Sequence, residues 1–306
     1  MAIQAVRIAM LNTDMPVPNV RSKLGTYGDI FHRLLVDAAS RISPIARIKS
    51  ANFDVIQGEY PGRLSDFDAI IITGSAASAY DDAEWIRKLD AYVLDVYQNH
   101  PRIKMFGSCF GHQLVCQSLF RHLGIVVEKD PKGWELGVHE IVFSDKFDAA
   151  LRPSPRSKCL GTNERPLTPD TETSSELGEP EAPESLKLQF VHADHVKIPH
   201  LEILPRSWMV VGSSKHCAVQ GVYKPGRVLT LQGHFEFDRF VNSETIKVFG
   251  ALWEPEKLKK ALEHMDADDD ADRAADIVAR FLMADLEKHG NYDRAAGLIT
   301  PPVEVS

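Results

Sequence analysis

Residues 105–113 read Met-Phe-Gly-Ser-Cys-Phe-Gly-His-Gln and place one cysteine, Cys109, where its chemistry changes. A largely apolar run from Arg102 to Phe106 stops at Gly107, and a helical pattern starts at Gly111 and continues through Leu114, Val115, Leu119 and Phe120. Cys109 is therefore expected at a helix N-terminus. Unpaired backbone N–H groups there carry partial positive charge and favour the thiolate, the reactive form of the side chain. The flanking glycines suit the cramped bend of a nucleophile elbow and keep side chains away from the sulfur. Taken alone, Gly-x-Cys-x-Gly describes a small buried cysteine equally well.

A downstream segment separates the two readings. Residues 227–236, Arg-Val-Leu-Thr-Leu-Gln-Gly-His-Phe-Glu, form an apolar strand pattern that ends in Gly233-His234-Phe235-Glu236. A cysteine nucleophile needs a base, and the base needs a carboxylate to fix its tautomer and orientation. In extended chain, residues two apart lie on one side, so His234 and Glu236 can be aimed at one place. The spacing predicts a Cys109–His234–Glu236 triad.

With these motifs the chain resembles the class I glutamine amidotransferases, whose triad-type members carry a G-x-C-x-G-x-Q elbow and an H-P-E segment. Phe235 stands where that family has proline, a residue that shapes the turn and does no chemistry. The run Asp68-Ala-Ile-Ile-Ile-Thr-Gly-Ser-Ala-Ala-Ser-Ala-Tyr-Asp-Asp82 is similar to the family's oxyanion strand and loop, and Val191-His-Ala-Asp-His195 to its H-x-D segment. The four motifs span about residues 5–240 in the family's order. The resemblance implies backbone N–H groups of Phe110 and Ser75 as oxyanion donors. It also implies Gly74, Gln113, His192 and Asp194 as substrate-pocket residues, although His192 and Asp194 read equally well as loop residues capping a short helix.

The elements that must position these residues follow from periodicity. Strand patterns fall near 5–11, 68–73, 102–107, 125–128, 137–143, 187–192, 208–212, 217–222 and 228–233; helical patterns fall near 29–40, 83–99, 111–123, 238–250, 255–264 and 270–289. Early strands alternate with helices, which predicts an α/β fold: a mostly parallel, doubly wound sheet with helices on both faces. The resemblance makes it flavodoxin-like. The closer spacing of the late strands predicts an antiparallel extension carrying His234. Nucleophile and base would meet at the carboxyl ends of the strands. Residues 1–245 are read as the amidotransferase-like domain, and 246–306 as a helical extension packed on it. Its last helix presents Ile277, Val278, Phe281, Leu282 and Leu286 as an apolar stripe. Residues 161–186 hold seven acidic residues and four prolines with little to bury, which predicts disorder or a mobile surface loop.

Composition excludes several classes. A formal charge of −8 over 306 residues, without a basic stripe, argues against nucleic acid as the main partner. Apolar runs are strand-length, so no membrane span is expected, and the opening segment reads as a first strand and not as a leader. Cys109, Cys116, Cys159 and Cys217 have neither disulfide-framework nor zinc spacing, and a catalytic thiolate is easiest to keep in the cytoplasm. No metal or organic cofactor is implied.

The chemistry predicted is hydrolysis of a glutamine or γ-glutamyl amide through a γ-glutamyl thioester, with a small-molecule γ-glutamyl substrate as partner. The chain has no nucleotide-binding signature. Either a separate synthetase chain accepts the ammonia, or the protein is a stand-alone hydrolase related to γ-glutamyl peptidases that act on glutathione-type conjugates. An α/β-hydrolase would order its triad nucleophile, acid, histidine, unlike this chain. A catalytically silent binding or regulatory module is the remaining alternative.

Overall fold

A computed structural model describes residues 4–152 and 184–296. Of the acidic segment 161–186 only the last three residues are among them, and Cys159 is not. In chain order the elements are β1 (Gln4–Asn12), α1 (Pro18–Leu24), α2 (Tyr27–Ile42), β2 (Ala46–Asp54), β3 (Ala69–Ile72), α3 (Glu84–Asn99), β4 (Lys104–Ser108), α4 (Phe110–Phe120), β5 (Val126–Lys129), β6 (Glu135–Phe143) and α5 (Asp145–Leu151). After the undescribed stretch come β7 (Ser185–His192), β8 (Asp194–Lys197), β9 (Met209–Val210), β10 (Gly212–Ser213), β11 (Val222–Lys224), β12 (Val228–Leu231), α6 (Arg239–Phe249), α7 (Pro255–His264) and α8 (Ala271–Ala296).

The main sheet has the order β2-β1-β3-β4-β12-β11-β9. Its first five strands are parallel, and β11 and β9 continue it antiparallel. Alternation along each strand divides the core in two. Ile8, Met10, Ile71, Phe106 and Leu231 face Phe31 and Leu35 of α2 and Val278 and Leu282 of α8. Leu11, Ile70, Ile72 and Met105 face Leu89 and Val93 of α3 and Leu114 and Val115 of α4. This is the α/β architecture that the alternation of elements predicts, with helices on both faces. The smaller sheets are β10-β6-β7 and β5-β8.

One expectation is corrected. The antiparallel extension exists, but His234 is not on it. His234 follows β12, which pairs parallel with β4 in the register Val228–Met105 to Leu231–Ser108. The reason is burial: β12 is buried along its whole length and belongs inside the sheet, whereas the half-exposed residues of β9 suit an edge. The parallel pairing brings the motifs together. Ser108 and Leu231 lie opposite each other, so Cys109 and Gln232 leave the sheet side by side, and Cys109 N–H donates to Leu231 O at 2.8 Å.

Candidate active site

Cys109 has φ 51° and ψ −105°, the one positive φ among the described non-glycine residues. Such a conformation costs about 1–3 kcal/mol and persists only where the surroundings enforce it. Here they are enforced by close packing at both neighbouring glycines. A Cβ on Gly107 would lie 2.6 Å from the Gly111 backbone, and one on Gly111 would lie 2.4 Å from Ile72 O. The glycines thus let α4 press against β4 and β3, which is a different reason from clearing space around the sulfur. Cys109 is 6 % exposed and lines a cavity of about 380 Å³.

His234 enters from the neighbouring strand end. Its backbone N–H donates to Gln189 O (2.8 Å), and its Nδ1 donates to Glu236 Oε1 (2.8 Å), the same oxygen that accepts from Ser108 Oγ (2.8 Å). Phe237 stacks on the imidazole at 4.0 Å between centroids and 18° between planes, which fixes the ring further. Phe235, in place of the family's proline, points away into the core against Phe31 and Phe106. Burial would lower the His234 pKa, but Glu236 and the Cys109 sulfur outweigh it and lift it to about 10. A Cβ on Gly74 would sit 3.1 Å from His234 Cε1 and 3.6 Å from Cys109 Cβ, so ring and thiol flank the same glycine. His234 Nε2 is buried without an aligned hydrogen-bond partner. His112, three residues past Cys109, is fully buried with Nδ1 2.8 Å from Thr230 Oγ1, and burial and His192 push its pKa down to about 3.

The Gly74 carbonyl accepts from Thr13 Oγ1 (2.8 Å) and Thr73 Oγ1 (3.2 Å). In a trans peptide the following N–H points the opposite way, so Ser75 N–H is turned from these threonines. Among the described residues neither Ser75 N–H nor Phe110 N–H has an acceptor. Both are therefore free to donate to a group bound beside Cys109.

A buried polar chain supports the cavity wall. Gln232 Nε2 donates to Cys109 Sγ (3.4 Å), while its Oε1 accepts from Gln113 Nε2 (3.0 Å), which also donates to Asp194 O (3.0 Å). The same Asp194 carbonyl is 2.8 Å from His192 Nδ1, and His192 Nε2 lies 2.8 Å from Glu135 Oε2. Gln113 and His192, expected in the substrate pocket, line the cavity, but these polar atoms bind protein. The Asp194 side chain reaches the cavity. Sequence reasoning missed Ser108, Gln232 and Phe237; a glutamine interrupting the apolar run just before Gly233 was the available signal. Among the described residues no His, Cys, Asp and Glu cluster is arranged to hold a metal, and His192 and His195 turn to different carboxylates, Glu135 and Asp130.

Glu135 anchors this chain. Burial alone would raise its pKa, but His192, Ser214 and Gln220 hold it down at about 2. A depressed carboxylate pKa contributes stability that is present above the unfolded value of 4.5 and lost as pH falls towards about 2. Glu135→Ala is expected to destabilise the fold by about 3–5 kcal/mol, because it strands the groups around it. Denaturant titration at pH 7 and pH 3 checks this, and the difference between wild type and variant should shrink at the lower pH.

No protein-family model matches the chain. A glutamine amidotransferase-like protein of Schizosaccharomyces pombe is 28 % identical over 282 residues, covering 90 % of this chain and 98 % of that one. A Saccharomyces cerevisiae protein classed as a glutamine amidotransferase is 30 % identical over 241 residues, 76 % of this chain and 79 % of its own length. γ-Glutamyl peptidases of Arabidopsis thaliana match at 27–29 % identity over 63–70 % of this chain and 64–69 % of their own lengths. Among solved structures, a Thermotoga maritima glutamine amidotransferase superposes with a TM-score of 0.56 at 18 % identity, covering 92 % of this chain and 97 % of that one, a likeness of fold. By its motifs, its fold and these relatives, the chain belongs to the class I glutamine amidotransferase-like family, on a divergent branch with the γ-glutamyl peptidases.

Proposed function

We propose that the protein is a cysteine hydrolase of γ-glutamyl amide bonds, with Cys109 as nucleophile, His234 as proton carrier and Glu236 as the carboxylate that orients it. The observation that carries this reading is that thiol and imidazole flank Gly74 beside an open cavity, with Glu236 2.8 Å behind the ring. The thiolate attacks the side-chain carbonyl carbon of the glutamyl group. As the C–N bond breaks, the His234 imidazolium gives its proton to the leaving nitrogen. Water then loses a proton to His234 and attacks the thioester; the C–S bond breaks, and glutamate leaves with the thiolate restored. Ser75 and Phe110 N–H groups meet the oxyanion in both steps, and losing one such donor generally costs about 10²–10³ in rate.

Two half-exposed aromatic rings, Trp134 and Phe249, line the same cavity and suit a leaving group larger than ammonia. This favours γ-glutamyl peptides over glutamine. Glutamine hydrolysis coupled to amination would need a separate synthetase chain, since this chain has no phosphate-binding loop. Incubation with glutamine, γ-glutamyl dipeptides and glutathione conjugates is expected to release glutamate, fastest from a peptide or conjugate. Intact-mass measurement of quenched mixtures should show a γ-glutamyl adduct on the Cys109 peptide. Failure of all three substrates to yield glutamate removes the proposal.

A further inference from the structure

The two main-chain N–H groups beside Cys109 are held in different ways. Phe110 N–H is fixed by α4, of which Phe110 is the first residue. Ser75 N–H belongs to the loop Thr73-Gly-Ser-Ala-Ala-Ser-Ala79, which carries no large apolar side chain and exposes Ala76. Hydrophobic packing gives such a main chain little to hold it, so hydrogen bonds must set its path. They come from the end of β1. β1 and β3 run parallel with Leu11 opposite Ile72, so Thr13 and Gly74 leave the sheet side by side. Thr13 is fully buried; its N–H donates to Thr73 Oγ1 (3.0 Å) and its Oγ1 to Gly74 O (2.8 Å). Asp14 Oδ2 accepts from Ala76 N–H (2.8 Å), while its Oδ1 accepts from Met15 N–H (2.7 Å). Gly74 C=O and Ser75 N–H are the two ends of one planar peptide unit, and Ala76 N–H belongs to the next. Two consecutive side chains thus hold the peptides on either side of the Ser75 α-carbon.

We propose that Thr13 and Asp14 are positioning residues, a latch that aims Ser75 N–H at the carbonyl oxygen of the bound amide without touching the substrate. The latch rests on the γ-glutamyl hydrolase reading above and names the side chains through which one of its oxyanion donors acts. The donor is main chain, so no substitution of the Ser75 side chain removes it, whereas the latch can be opened from Thr13 or Asp14. A loosened peptide lets the N–H turn off line, and a hydrogen bond weakens steeply as its angle falls towards about 120°. The loss falls on the oxyanion, where the donor is worth most, and much less on the neutral carbonyl of bound substrate.

The test compares wild type, Thr13→Val, Thr13→Ser, Asp14→Ala and Asp14→Asn on one γ-glutamyl dipeptide. Thr13→Val should lower kcat about 10- to 100-fold with KM within a few-fold, and Asp14→Ala should lower it about tenfold. Thr13→Ser keeps the hydroxyl and Asp14→Asn keeps an acceptor oxygen, so both should stay within a few-fold of wild type. The double variant Thr13→Val/Asp14→Ala should lose no more than about 10²–10³, the worth of a single oxyanion donor, because both changes act through the same N–H. Alkylation of Cys109 by iodoacetamide supplies the control. There the sulfur displaces iodide from a CH₂ carbon and no oxyanion forms, so every latch variant should react at close to the wild-type rate. A structural defect at the site would slow alkylation and raise KM together with the fall in kcat, and that pattern would overturn the latch. If wild type cleaves the dipeptide and both Thr13→Val and Asp14→Ala keep its kcat, the latch is wrong and the hydrolase reading stands. If wild type releases no glutamate and Cys109 resists a glutamine-like electrophile, the hydrolase reading falls and takes the latch with it. Asp14 is partly exposed, so its variants keep the comparison informative should Thr13→Val misfold.

Discussion

Replacing Cys109 by alanine should lower the rate of glutamate release by at least about 10⁴-fold, and replacing His234 by alanine should cost a similar factor. The two losses are expected not to add. Thiol and imidazole flank one glycine, and the raised His234 pKa arises in part from the Cys109 sulfur, so in the proposed mechanism each group needs the other to act. Without the ring the sulfur has no route for its proton. Without the sulfur the ring has nothing to activate. The double variant should therefore be no slower than the worse single variant, whereas independent contributions would multiply. Steady-state glutamate release from one γ-glutamyl dipeptide, measured for wild type and the three variants, decides between these outcomes. Folding is separable from chemistry in this comparison. Alanine at 109 inherits the same positive φ and the same burial, so thermal unfolding of Cys109→Ala should stay close to wild type. A multiplicative loss would mean that the two side chains do not work as one unit.

The site was legible where chemistry is written into adjacent residues. The elbow at 107–111 and the Gly-His-Phe-Glu at 233–236 each mark the end of a buried parallel strand, and apolar runs stopped by glycine are a strong local signal. Their meeting depends on β4 and β12 being neighbours, which no local signal states; the resemblance supplied it. The helix after residue 270 was also legible, since Val278, Phe281 and Leu282 of the predicted stripe are buried against the sheet. Other elements were not. In β2, Ala46 and Ile48 alternate with exposed residues, but the second half is polar because this strand forms the sheet edge. The helices α1 and α5 are seven residues each, too short for a 3.6-residue period to emerge. Four-residue β8 pairs only with β5 among the described strands, and its first two positions, Asp194 and His195, read as loop. Gln113 shows a different limit. Its position one turn into α4 was plain, but its partners, Gln232 and the Asp194 carbonyl, are 119 and 81 residues away in sequence.

Glu236→Gln should separate orientation from charge. The variant keeps the size of the side chain and can keep one oxygen facing His234 Nδ1 and Ser108 Oγ, both of which now meet Glu236 Oε1 at 2.8 Å. It removes the negative charge. Burial then acts on the imidazole with only the sulfur to oppose it, so the His234 pKa must fall from its value of about 10. In wild type the imidazolium should persist through neutral pH, and kcat/KM should decline only as pH rises towards about 10. In Glu236→Gln the alkaline limb should move to lower pH, and the plateau should drop by about 10²–10⁴, because a ring that is neutral at pH 7 has no proton for the leaving nitrogen. Stability should follow the same sign. A histidine whose folded pKa is raised contributes stability that is complete below its unfolded value of 6.5 and is lost as pH climbs towards about 10. Wild type should therefore lose part of its unfolding free energy across that interval, and the variant, less stable at pH 6, should lose less. Rate profiles and unfolding titrations from pH 6 to pH 10 measure both effects on the same samples. An alkaline limb that stays in place when the carboxylate is removed would show that Glu236 does not set the proton affinity of His234, and the assignment of its role would have to be withdrawn.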